Sequence, residues 1–218
     1  SGDDLPTFDI TLVEQVRRAI RAAAPDVVIH CAAFTDVDGC ARNPEKAQLV
    51  NATGTLNVAT VCAEHGAAMV LLSTNEVFDG RSAAPYIETD EPAPINPYGQ
   101  SKLLAEWHTR ELLERYYIVR TSWMYSAGGS NFIHKIRQLA ESGEPFAIVT
   151  DEFGVPTYAS DLARAILELV EIAPYGIYHL VNSGHTSRFG LARTVLDLSG
   201  HLSVPIRPIL LKDYQRAS

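Results

Sequence analysis

The stretch Asp26-Val-Val-Ile-His30, continued by Cys31-Ala-Ala33, decides the fold class of this chain. It is a short run rich in β-branched residues without polar alternation, which is typical of a strand buried on both faces of a sheet. Before it, apolar residues recur at a spacing of three and four and predict a helix from Leu12 to Ala23. Thr11, with Glu14 three positions later, has the pattern of a capping box that opens this helix.

A second helix and a second strand are predicted on the other side of this stretch. Asn43-Pro44 supplies an N-cap and a first-turn proline for a helix that runs to His65. Gly66 stands where a helix commonly ends on a left-handed residue. The apolar segment from Ala68 to Ser73 then predicts another buried strand.

The same alternation of helices and strands continues along the chain. The predicted segments are a helix from about Tyr98 towards Tyr116, a strand Tyr117 to Arg120, a helix Asn131 to Ser142, a strand Phe146 to Val149, a helix Asp161 to Glu171, a strand Tyr178 to Val181 and a helix Ser187 to Ser199. Strands that alternate with helices pair in parallel through right-handed crossovers. We therefore expect an α/β fold with a doubly wound parallel sheet, in which ligands bind at the carboxyl ends of the strands.

The composition is globular, with an excess of acidic residues. Hydrophobic residues make up 46% and charged residues 20% of the 218 residues, which excludes a disordered chain. The net charge of -8 gives no general attraction to phosphate backbones or anionic lipids, so we expect no nucleic-acid partner. The longest apolar run, Ala67 to Leu72, is far shorter than the roughly 20 residues that a membrane-spanning helix needs, so we expect no membrane association.

The three cysteines, Cys31, Cys40 and Cys62, predict a reducing compartment. They are odd in number, lack C-x-x-C spacing and lie in or beside apolar segments, as buried free thiols do. No basic and apolar leader opens the chain. We therefore expect a cytoplasmic protein.

Turn-forming residues divide the chain into two expected domains with a boundary near Tyr125. Residues 1–125 contain most of the sheet and form the first domain. Residues 126–218 start with the Gly128-Gly129 loop and contain shorter elements. They are expected to form a small lobe that binds substrate, with some elements returning to the sheet.

Short polar or small-residue clusters follow three of the predicted strands. They comprise Ala32, Ala33, Phe34 and Thr35 after the first strand, Ser73, Thr74, Asn75 and Glu76 after the second, and Thr121, Ser122 and Trp123 after the third. Their position makes them candidates for ligand binding. Small residues let a flat ligand approach the backbone, but tight packing against a helix is an equal alternative. Hydroxyls at such places also serve as helix caps.

Tyr98-Gly-Gln-Ser-Lys102 is the segment with the strongest indication of chemistry. Residues four apart lie on one face of a helix, so the phenol of Tyr98 and the ammonium of Lys102 are expected to be neighbours. A nearby positive charge favours the phenolate, so Lys102 is expected to lower the pKa of Tyr98 towards the neutral range. The pair is thus a candidate for acid–base catalysis, and a helix-surface pair is the alternative.

Together with Thr74, this pair resembles the Ser/Thr-Tyr-Lys arrangement of the short-chain dehydrogenases/reductases. Further segments resemble the dTDP-4-dehydrorhamnose reductase family, in the extended branch of that class, over roughly residues 9 to 195. They are Cys31-Ala-Ala-Phe-Thr-Asp-Val-Asp38, Val50-Asn-Ala52, Ser73-Thr74, Val77-Phe-Asp-Gly80, Pro97-Tyr-Gly-Gln-Ser-Lys102, Arg120-Thr-Ser-Trp123, Asn131-Phe132 and Gly154-Val-Pro-Thr157. This resemblance implies a Rossmann-like fold.

The resemblance also implies an activity, in which NADPH or NADH reduces the 4-keto group of dTDP-4-dehydro-L-rhamnose. Tyr98 would be the general acid, Lys102 would hold the ribose of the cofactor, and Thr74 would bind the carbonyl oxygen of the substrate. Further implied contacts are Ala32, Ala33 and Thr35 at the cofactor, Asp9 and Ile10 at its adenine, and Asn75 and Trp123 at the sugar.

This chain departs from the family pattern in two respects. Asn75 and Glu76 stand where the family commonly has an aspartate and an aromatic residue, which leaves the exact sugar open. No G-x-x-G-x-x-G or G-x-G-x-x-G motif is present. We expect that about 30 residues with the first strand and the glycine-rich loop precede Ser1, and that further residues follow Ser218, because a sheet without its central strand exposes apolar edges.

Several alternatives stay open at this point. The histidines form no H-x-x-x-H motif, and the acidic pairs have the pattern of solvated loops, so the sequence itself predicts no metal site. Some members of the family use magnesium at a dimer contact, which leaves magnesium and a homodimer as alternatives from the resemblance. A nucleotide-sugar epimerase or dehydratase would share Thr-Tyr-Lys, and a regulatory subunit like that of methionine adenosyltransferase would have the same fold without catalysis.

Overall fold

The computed structural model describes residues 8–129 and 131–214. Residues 1–7, residue 130 and residues 215–218 lie outside the described part, and with them the outer ends of both expected domains. The helices are α1 (Val13–Ala23), α2 (Val37–Arg42), α3 (Pro44–Ala47), α4 (Gly54–His65), α5 (Pro97–Leu112), α6 (Phe132–Ser142), α7 (Ala159–Ile172) and α8 (Arg188–Leu198). The strands are β1 (Val27–His30), β2 (Ala68–Thr74), β3 (Tyr116–Thr121), β4 (Met124–Tyr125), β5 (Phe146–Val149), β6 (Phe153–Gly154), β7 (Thr157–Tyr158), β8 (Gly176–His179), β9 (Thr186–Ser187) and β10 (Ile206–Ile209).

The main sheet has the strand order β1-β2-β3-β8. Strand β1 pairs with β2, and β3 pairs with β8, both in parallel. A helix lies in the chain between each strand of this sheet and the next, as parallel pairing requires. The predicted α/β fold with a parallel sheet is thereby confirmed.

The apolar stripe of α1 explains why this helix packs on the sheet. Val16 and Ile20 are four residues apart and buried, and they join a core that α4 and the strands complete. Strand β2 contributes Met69 and Leu71 to this core, and β3 contributes Ile118. This core fixes the strand ends that carry the candidate site residues.

Helix α1 begins differently from the capping-box prediction. It starts at Val13, and Leu12 stands in the N-cap position without a side-chain cap. The hydroxyl of Thr11 donates to the carboxylate of Asp9 at 2.8 Å, so it is not available to the helix. The predicted capping box is therefore wrong, because a hydrogen bond to a nearer side chain takes its place.

The helix predicted from Asn43-Pro44 to His65 is present but not continuous. Asn43 caps it as predicted, since its side chain accepts the N–H of Lys46 at 3.0 Å. Between α3 and α4 the chain forms a π-helical segment, Gln48–Thr53, which the sequence pattern does not indicate. Such π turns are often found at functional sites. The helix ends on Gly66 with φ of 70°, the left-handed conformation predicted for it.

Contacts within the chain divide it into two units. Among the described residues, the first unit contains residues 8–120 together with Ile172–His179, and the second contains residues 121–129, 131–171 and 180–214. The division thus falls at Thr121, whereas the sequence places it near Tyr125. The segment that returns to the first unit carries β8.

The second unit has a core of its own. Helices α6 and α8 cover the parallel pair β5 and β10, and two further short pairs, β4 with β7 and β6 with β9, complete the unit. The core residues are Ile136, Ala140, Ile148, Ala192, Val195, Leu196 and Val204.

Candidate active site

Helix α5 carries the phenol and the ammonium predicted from the sequence. Asn96 caps this helix by accepting the N–H of Gly99 at 2.8 Å, and Pro97 occupies its first turn. Tyr98 and Lys102 follow four residues apart, so they lie on one face of the helix. Thr74 is the last residue of β2, at the carboxyl end where ligands bind in parallel α/β sheets.

The side chain of Tyr98 is almost completely buried. It packs against Cys40 and Ala47, with Phe34 at the edge of the same cluster. Burial raises the pKa of Tyr98 to about 12. A hydrogen bond between the Thr74 hydroxyl and the phenol lowers this pKa, and the nearby carboxylate of Glu76 raises it. The phenol therefore keeps its proton throughout the neutral range.

Lys102 is buried beneath the site with only 2% of its surface exposed. Its Nζ donates a hydrogen bond to the carbonyl oxygen of Leu72 in β2 at 2.8 Å. Burial lowers the pKa of Lys102 to about 8, while the negative charge of Glu106 favours the protonated form. Lys102 also lowers the pKa of buried His30, after the larger effect of burial.

The structure differs from the expectation that Lys102 lowers the pKa of Tyr98. The ammonium is directed at the Leu72 carbonyl, and the groups that shift the Tyr98 pKa, besides burial, are Thr74, Glu76 and Cys40. The net direction is upward. In this state the phenol is thus suited to donate a proton and not to accept one.

Thr74 and the turn that follows it are connected by hydrogen bonds. The side-chain oxygen of Thr74 accepts the N–H of Glu76 at 3.2 Å and thereby starts a 3-10 turn, Asn75–Val77. The amide nitrogen of Asn75, the residue expected at the sugar, donates to the Glu76 carboxylate at 3.4 Å. Asn75 is half-buried.

The carboxyl end of β1 contains the three residues expected at the cofactor. Ala32 and Thr35 are exposed, and Ala33 is half-buried. The backbone between them is held by Asn51, whose amide exchanges two hydrogen bonds with Phe34, at 2.7 and 3.0 Å.

Asn51 also connects this segment to α5, a role that its place in the segment Val50-Asn-Ala52 did not indicate. Its Nδ2 donates to the hydroxyl of Ser101 at 2.9 Å, and Ser101 in turn donates to the carbonyl oxygen of Tyr98 at 2.8 Å. Asn51 is fully buried in the π-helical segment. A polar residue within an otherwise apolar helix face was the signal that could have found it.

Asp9 and Ile10, expected at the adenine, precede α1. Asp9 is exposed, and hydrogen bonds from the backbone and side chain of Thr11 lower its pKa. The side chain of Ile10 is buried in the core, and its carbonyl oxygen accepts from the amide of Asn57 at 2.9 Å. Ile10 also lies directly against Gly54, where any larger residue would collide with it.

A buried ionic cluster lies one helical turn beyond Lys102. The guanidinium of Arg120 donates to both carboxylate oxygens of Glu106, with an Nη2 to Oε2 distance of 2.8 Å. Ser73 donates its hydroxyl to the same carboxylate at 2.5 Å. The ends of β2 and β3 are thus tied to α5. Sequence reasoning missed this cluster, although Glu106 follows Lys102 at the same spacing as Lys102 follows Tyr98.

Trp123, the aromatic residue expected at the sugar, lies in the second unit. Its backbone is left-handed with φ of 43°, which is unusual for a bulky residue and is often found at functional sites. The guanidinium carbon of Arg188 lies 3.7 Å from the centroid of the indole. Gly154 packs on the ring so closely that a Cβ there would overlap it.

The second unit contains a pocket beside this tryptophan. Its volume is about 220 Å³, and its lining is mainly aromatic and aliphatic, with the polar groups of Asn131 and Arg188. Arg188 is held by Glu152, which accepts from its Nε at 3.0 Å. The pocket thus combines apolar side chains with polar groups that can form hydrogen bonds. The remaining lining residues are Met124, Tyr125, Phe132, Ile133 and Leu191.

The described part of the chain has neither a metal-binding cluster nor a membrane-spanning helix. Among residues 8–129 and 131–214, no cluster of three or more His, Cys, Asp or Glu side chains is placed to hold a metal ion. Magnesium thus stays an expectation from the resemblance. None of the described helices has the length and apolar character to cross a membrane.

A strand-end hydroxyl that is hydrogen-bonded to a phenol, with a buried ammonium one turn further along the same helix, is the arrangement of the short-chain dehydrogenases/reductases. Within that class, the chain belongs to the family described as the RmlD substrate-binding domain, whose sequence model matches residues 3–218. The family resemblance predicted from the sequence is confirmed.

Individual relatives support this assignment. The chain is 40% identical over 215 residues to dTDP-4-dehydrorhamnose reductase of Mycobacterium tuberculosis, covering 96% of this chain and 70% of the relative. It is 39% identical over 199 residues to the spore coat polysaccharide biosynthesis protein SpsK of Bacillus subtilis, covering 91% and 70%. The crystal structure of dTDP-4-dehydrorhamnose reductase from Bacillus anthracis in complex with NADP superimposes with a TM-score of 0.91 at 37% identity, covering 96% of this chain and 74% of that one. This likeness confirms the Rossmann-like fold.

Proposed function

We propose that this protein reduces the 4-keto group of dTDP-4-dehydro-L-rhamnose to a hydroxyl, giving dTDP-L-rhamnose, with NADPH or NADH as the hydride donor. The observation that carries the proposal is the burial of Tyr98, Lys102 and Thr74 at one place, with Tyr98 and Lys102 four residues apart on α5 and Thr74 at the end of β2. Relatives at about 40% identity bear the name of this reductase, and one solved relative contains NADP.

Tyr98 is the proton donor in this reaction. Reduction of the ketone places negative charge on its oxygen, and a phenol with a pKa of about 12 is fully protonated at neutral pH. Its proton passes to the substrate oxygen as the alkoxide forms. Thr74 lies beside the phenol, and its hydroxyl is the second group that can donate to that oxygen once the substrate is bound.

Lys102 holds the bottom of the site in place. With a pKa of about 8 it is mostly protonated at neutral pH, and the Leu72 carbonyl accepts one of its three protons. The remaining N–H groups are suited to the hydroxyls of a ribose.

The residues at the end of β1 fit a nicotinamide cofactor. The exposed Ala32 and half-buried Ala33 present small side chains, so a flat ligand can approach the backbone there. The residues that would hold the cofactor are Ala32, Ala33, Thr35, Tyr98 and Lys102, with Asp9 and Ile10 at the adenine. When bound, the cofactor supplies the hydride.

In the second unit we assign Trp123 and its pocket to the substrate. Arg188 and Gly154 both pack against the indole and hold it in place. The indole can therefore serve as a rigid wall for a sugar ring. Asn75 in the first unit is assigned to the sugar as well, since its half-buried amide has hydrogen-bonding capacity.

Two properties of the whole protein are part of the proposal. We place it in the cytoplasm, because none of its three cysteines is in a disulfide, as in a reducing compartment. Cys40 and Cys62 are buried as predicted, whereas Cys31 is exposed because it follows the end of β1. The homodimer stays a prediction from the resemblance, and the molar mass in solution tests it.

The experiment is a turnover assay of the full-length protein with dTDP-4-dehydro-L-rhamnose and each reduced cofactor, followed by nicotinamide absorbance. We expect loss of the absorbance with one cofactor preferred, and at least a 100-fold lower rate for Tyr98→Phe. An epimerase or dehydratase would convert a nucleotide sugar without net consumption of reduced cofactor. A regulatory protein would show no turnover at all, and either result would contradict the proposal.

A further inference from the structure

Glu76 lies between Thr74 at the end of β2 and the first turn of α5. It is also one of the residues in which this chain departs from the family pattern. Its backbone N–H donates to the side-chain oxygen of Thr74 at 3.2 Å. Its carbonyl oxygen lies directly against Gly99 in the first turn of α5, where a Cβ would overlap it. Glu76 therefore contacts Thr74 on one side and the helix of Tyr98 on the other.

The carboxylate of Glu76 makes a second connection to the same helix. Its Oε2 accepts a hydrogen bond from the Nδ2 of Asn96 at 2.8 Å. Asn96 uses its other end, Oδ1, to accept the N–H of Gly99 at 2.8 Å and so caps α5. An ionised carboxylate only accepts hydrogen bonds, so it can bind the NH₂ end of Asn96 alone. The side-chain carbonyl of Asn96 is thereby left to face α5.

These contacts form a closed loop that begins and ends at Thr74. It runs from Thr74 to Glu76, from Glu76 to Asn96, and from Asn96 to the first turn of α5, where Tyr98 meets Thr74. Hydrogen bonds that link into a network order one another more strongly than isolated ones do. The backbone of Glu76 makes the contacts with Thr74 and Gly99, and its carboxylate makes the contact with Asn96, so a side-chain substitution at Glu76 breaks the network at Asn96.

We propose that Glu76 is a positioning residue, which orients the helix cap Asn96 and so sets the placement of the Tyr98 phenol against Thr74. The inference deepens the proposed function and rests on it, because it takes Tyr98 to be the proton donor. Glu76 has a second effect through its charge. It faces the phenol together with Thr74 and Cys40, and its negative charge helps to keep the proton on Tyr98.

The first measurement needs no catalysis. In the full-length protein, amide hydrogen exchange at Gly99 reports the cap that Asn96 provides, and exchange at His134 serves as the reference. Asn131 caps α6 in the same way, with its Oδ1 accepting the N–H of His134 at 3.1 Å. We expect Glu76→Ala to raise exchange at Gly99 about five-fold and to leave His134 unchanged. Equal exchange at Gly99 in both proteins would overturn the positioning role.

The second measurement uses turnover. Glu76→Ala should lower kcat about ten-fold with little change in the KM of the cofactor, and Glu76→Gln, which keeps an acceptor oxygen, should restore most of kcat. Removal of the charge in Glu76→Gln should also move the alkaline limb of the pH–rate profile to lower pH. Glu91→Gln is the control and should match the wild type. It removes an exposed carboxylate from the same chain segment, between β2 and α5.

These results separate the two proposals. If the wild type does not consume reduced cofactor, the proposed function fails, while exchange at Gly99 still decides the role of Glu76. If the wild type turns over and Glu76→Ala has the same kcat and pH profile, the positioning role is overturned and the proposed function stands.

Discussion

The carboxylate of Glu106 and the guanidinium of Arg120 form a buried ion pair, with side chains 2% and 4% exposed, one helical turn beyond Lys102. The pair joins α5 to the end of β3, and Ser73 joins the end of β2 to the same carboxylate. The ends of β2 and β3 are thus connected to α5 by charge-assisted hydrogen bonds, which are stronger than neutral ones.

Loss of one partner of this pair should be strongly destabilising, because it leaves the other charge buried and uncompensated. We expect Arg120→Met to lower the free energy of unfolding by about 3 kcal/mol, measured by denaturant titration. Asp197→Asn, which breaks the exposed pair of Arg193 and Asp197, should change it by less than about 0.5 kcal/mol. A loss below about 1 kcal/mol for Arg120→Met would show that the buried pair is not important for stability.

His30 should make stability depend on pH in the acidic range. Burial lowers its pKa from 6.5 to about 4, so the folded state holds the imidazole neutral where the unfolded state takes up a proton. The stability associated with neutral His30 is present above pH 6.5 and is lost as the pH falls towards 4.

This prediction is tested by measuring the free energy of unfolding against pH in the wild type and in His30→Asn. Between about pH 7 and about pH 5, we expect the wild type to lose about 2 kcal/mol of unfolding free energy more than the variant does. Other groups titrate equally in both proteins, so they cancel in this comparison. Parallel curves for the two proteins would contradict a lowered pKa at His30.

Gly99 should tolerate no side chain. A Cβ at this position would overlap the carbonyl oxygen of Glu76, a backbone atom that cannot turn away. We expect Gly99→Ala to lower the free energy of unfolding by about 2 kcal/mol and kcat by on the order of 100-fold, because α5 must shift away from Thr74. Gly128→Ala is the control, since a Cβ there meets nothing within 4 Å. Wild-type kcat in Gly99→Ala would show that the contact does not position the site.

Arg188 should control the order of Trp123. Arg188→Ala removes the cation that lies over the indole, and Arg188→Lys keeps the charge but loses the planar stacking. We expect KM for the dTDP-sugar to rise on the order of ten-fold in Arg188→Ala and less in Arg188→Lys, with kcat nearly unchanged.

A Trp107→Phe background isolates the fluorescence of Trp123, because the chain has two tryptophans. In that background Arg188→Ala should shift the emission to longer wavelength, as the ring gains contact with water. An unchanged KM together with unchanged emission would show that Arg188 does not hold the ring.

The elements of the fold follow largely from local patterns. Apolar spacing and strand-like runs place the helices and strands of the main sheet, and the ends differ by a few residues, as for the predicted strand Tyr178 to Val181, observed at Gly176–His179. The π-helical segment Gln48–Thr53 was not predictable, because the apolar pattern of a helix continues through it. It is the contact of Asn51 with Phe34 and Ser101 that gives this segment its role.

The candidate site was only partly accessible to sequence reasoning. The spacing of Tyr98 and Lys102 predicts that they share a helix face, and the structure has them there. The direction of the Tyr98 pKa shift depends on burial and on what Lys102 contacts, and both are set by residues distant in the sequence. For the same reason neither the partnership of Glu106 with Arg120 nor that of Glu76 with Asn96 could be inferred, since each joins residues from separate elements.

The most direct test of reduction with Tyr98 as proton donor is a single-turnover reaction that follows the hydride delivered to the substrate and its dependence on Tyr98. The full-length protein is mixed with dTDP-4-dehydro-L-rhamnose and reduced cofactor deuterated at the transferred position, and the product is analysed by NMR. We expect one deuterium at C4 of the sugar for each cofactor oxidised, and no product from Tyr98→Phe on the same time scale. Product formation without oxidation of the cofactor would contradict reduction as the reaction. Deuterium transfer at the wild-type rate in Tyr98→Phe would contradict Tyr98 as the proton donor.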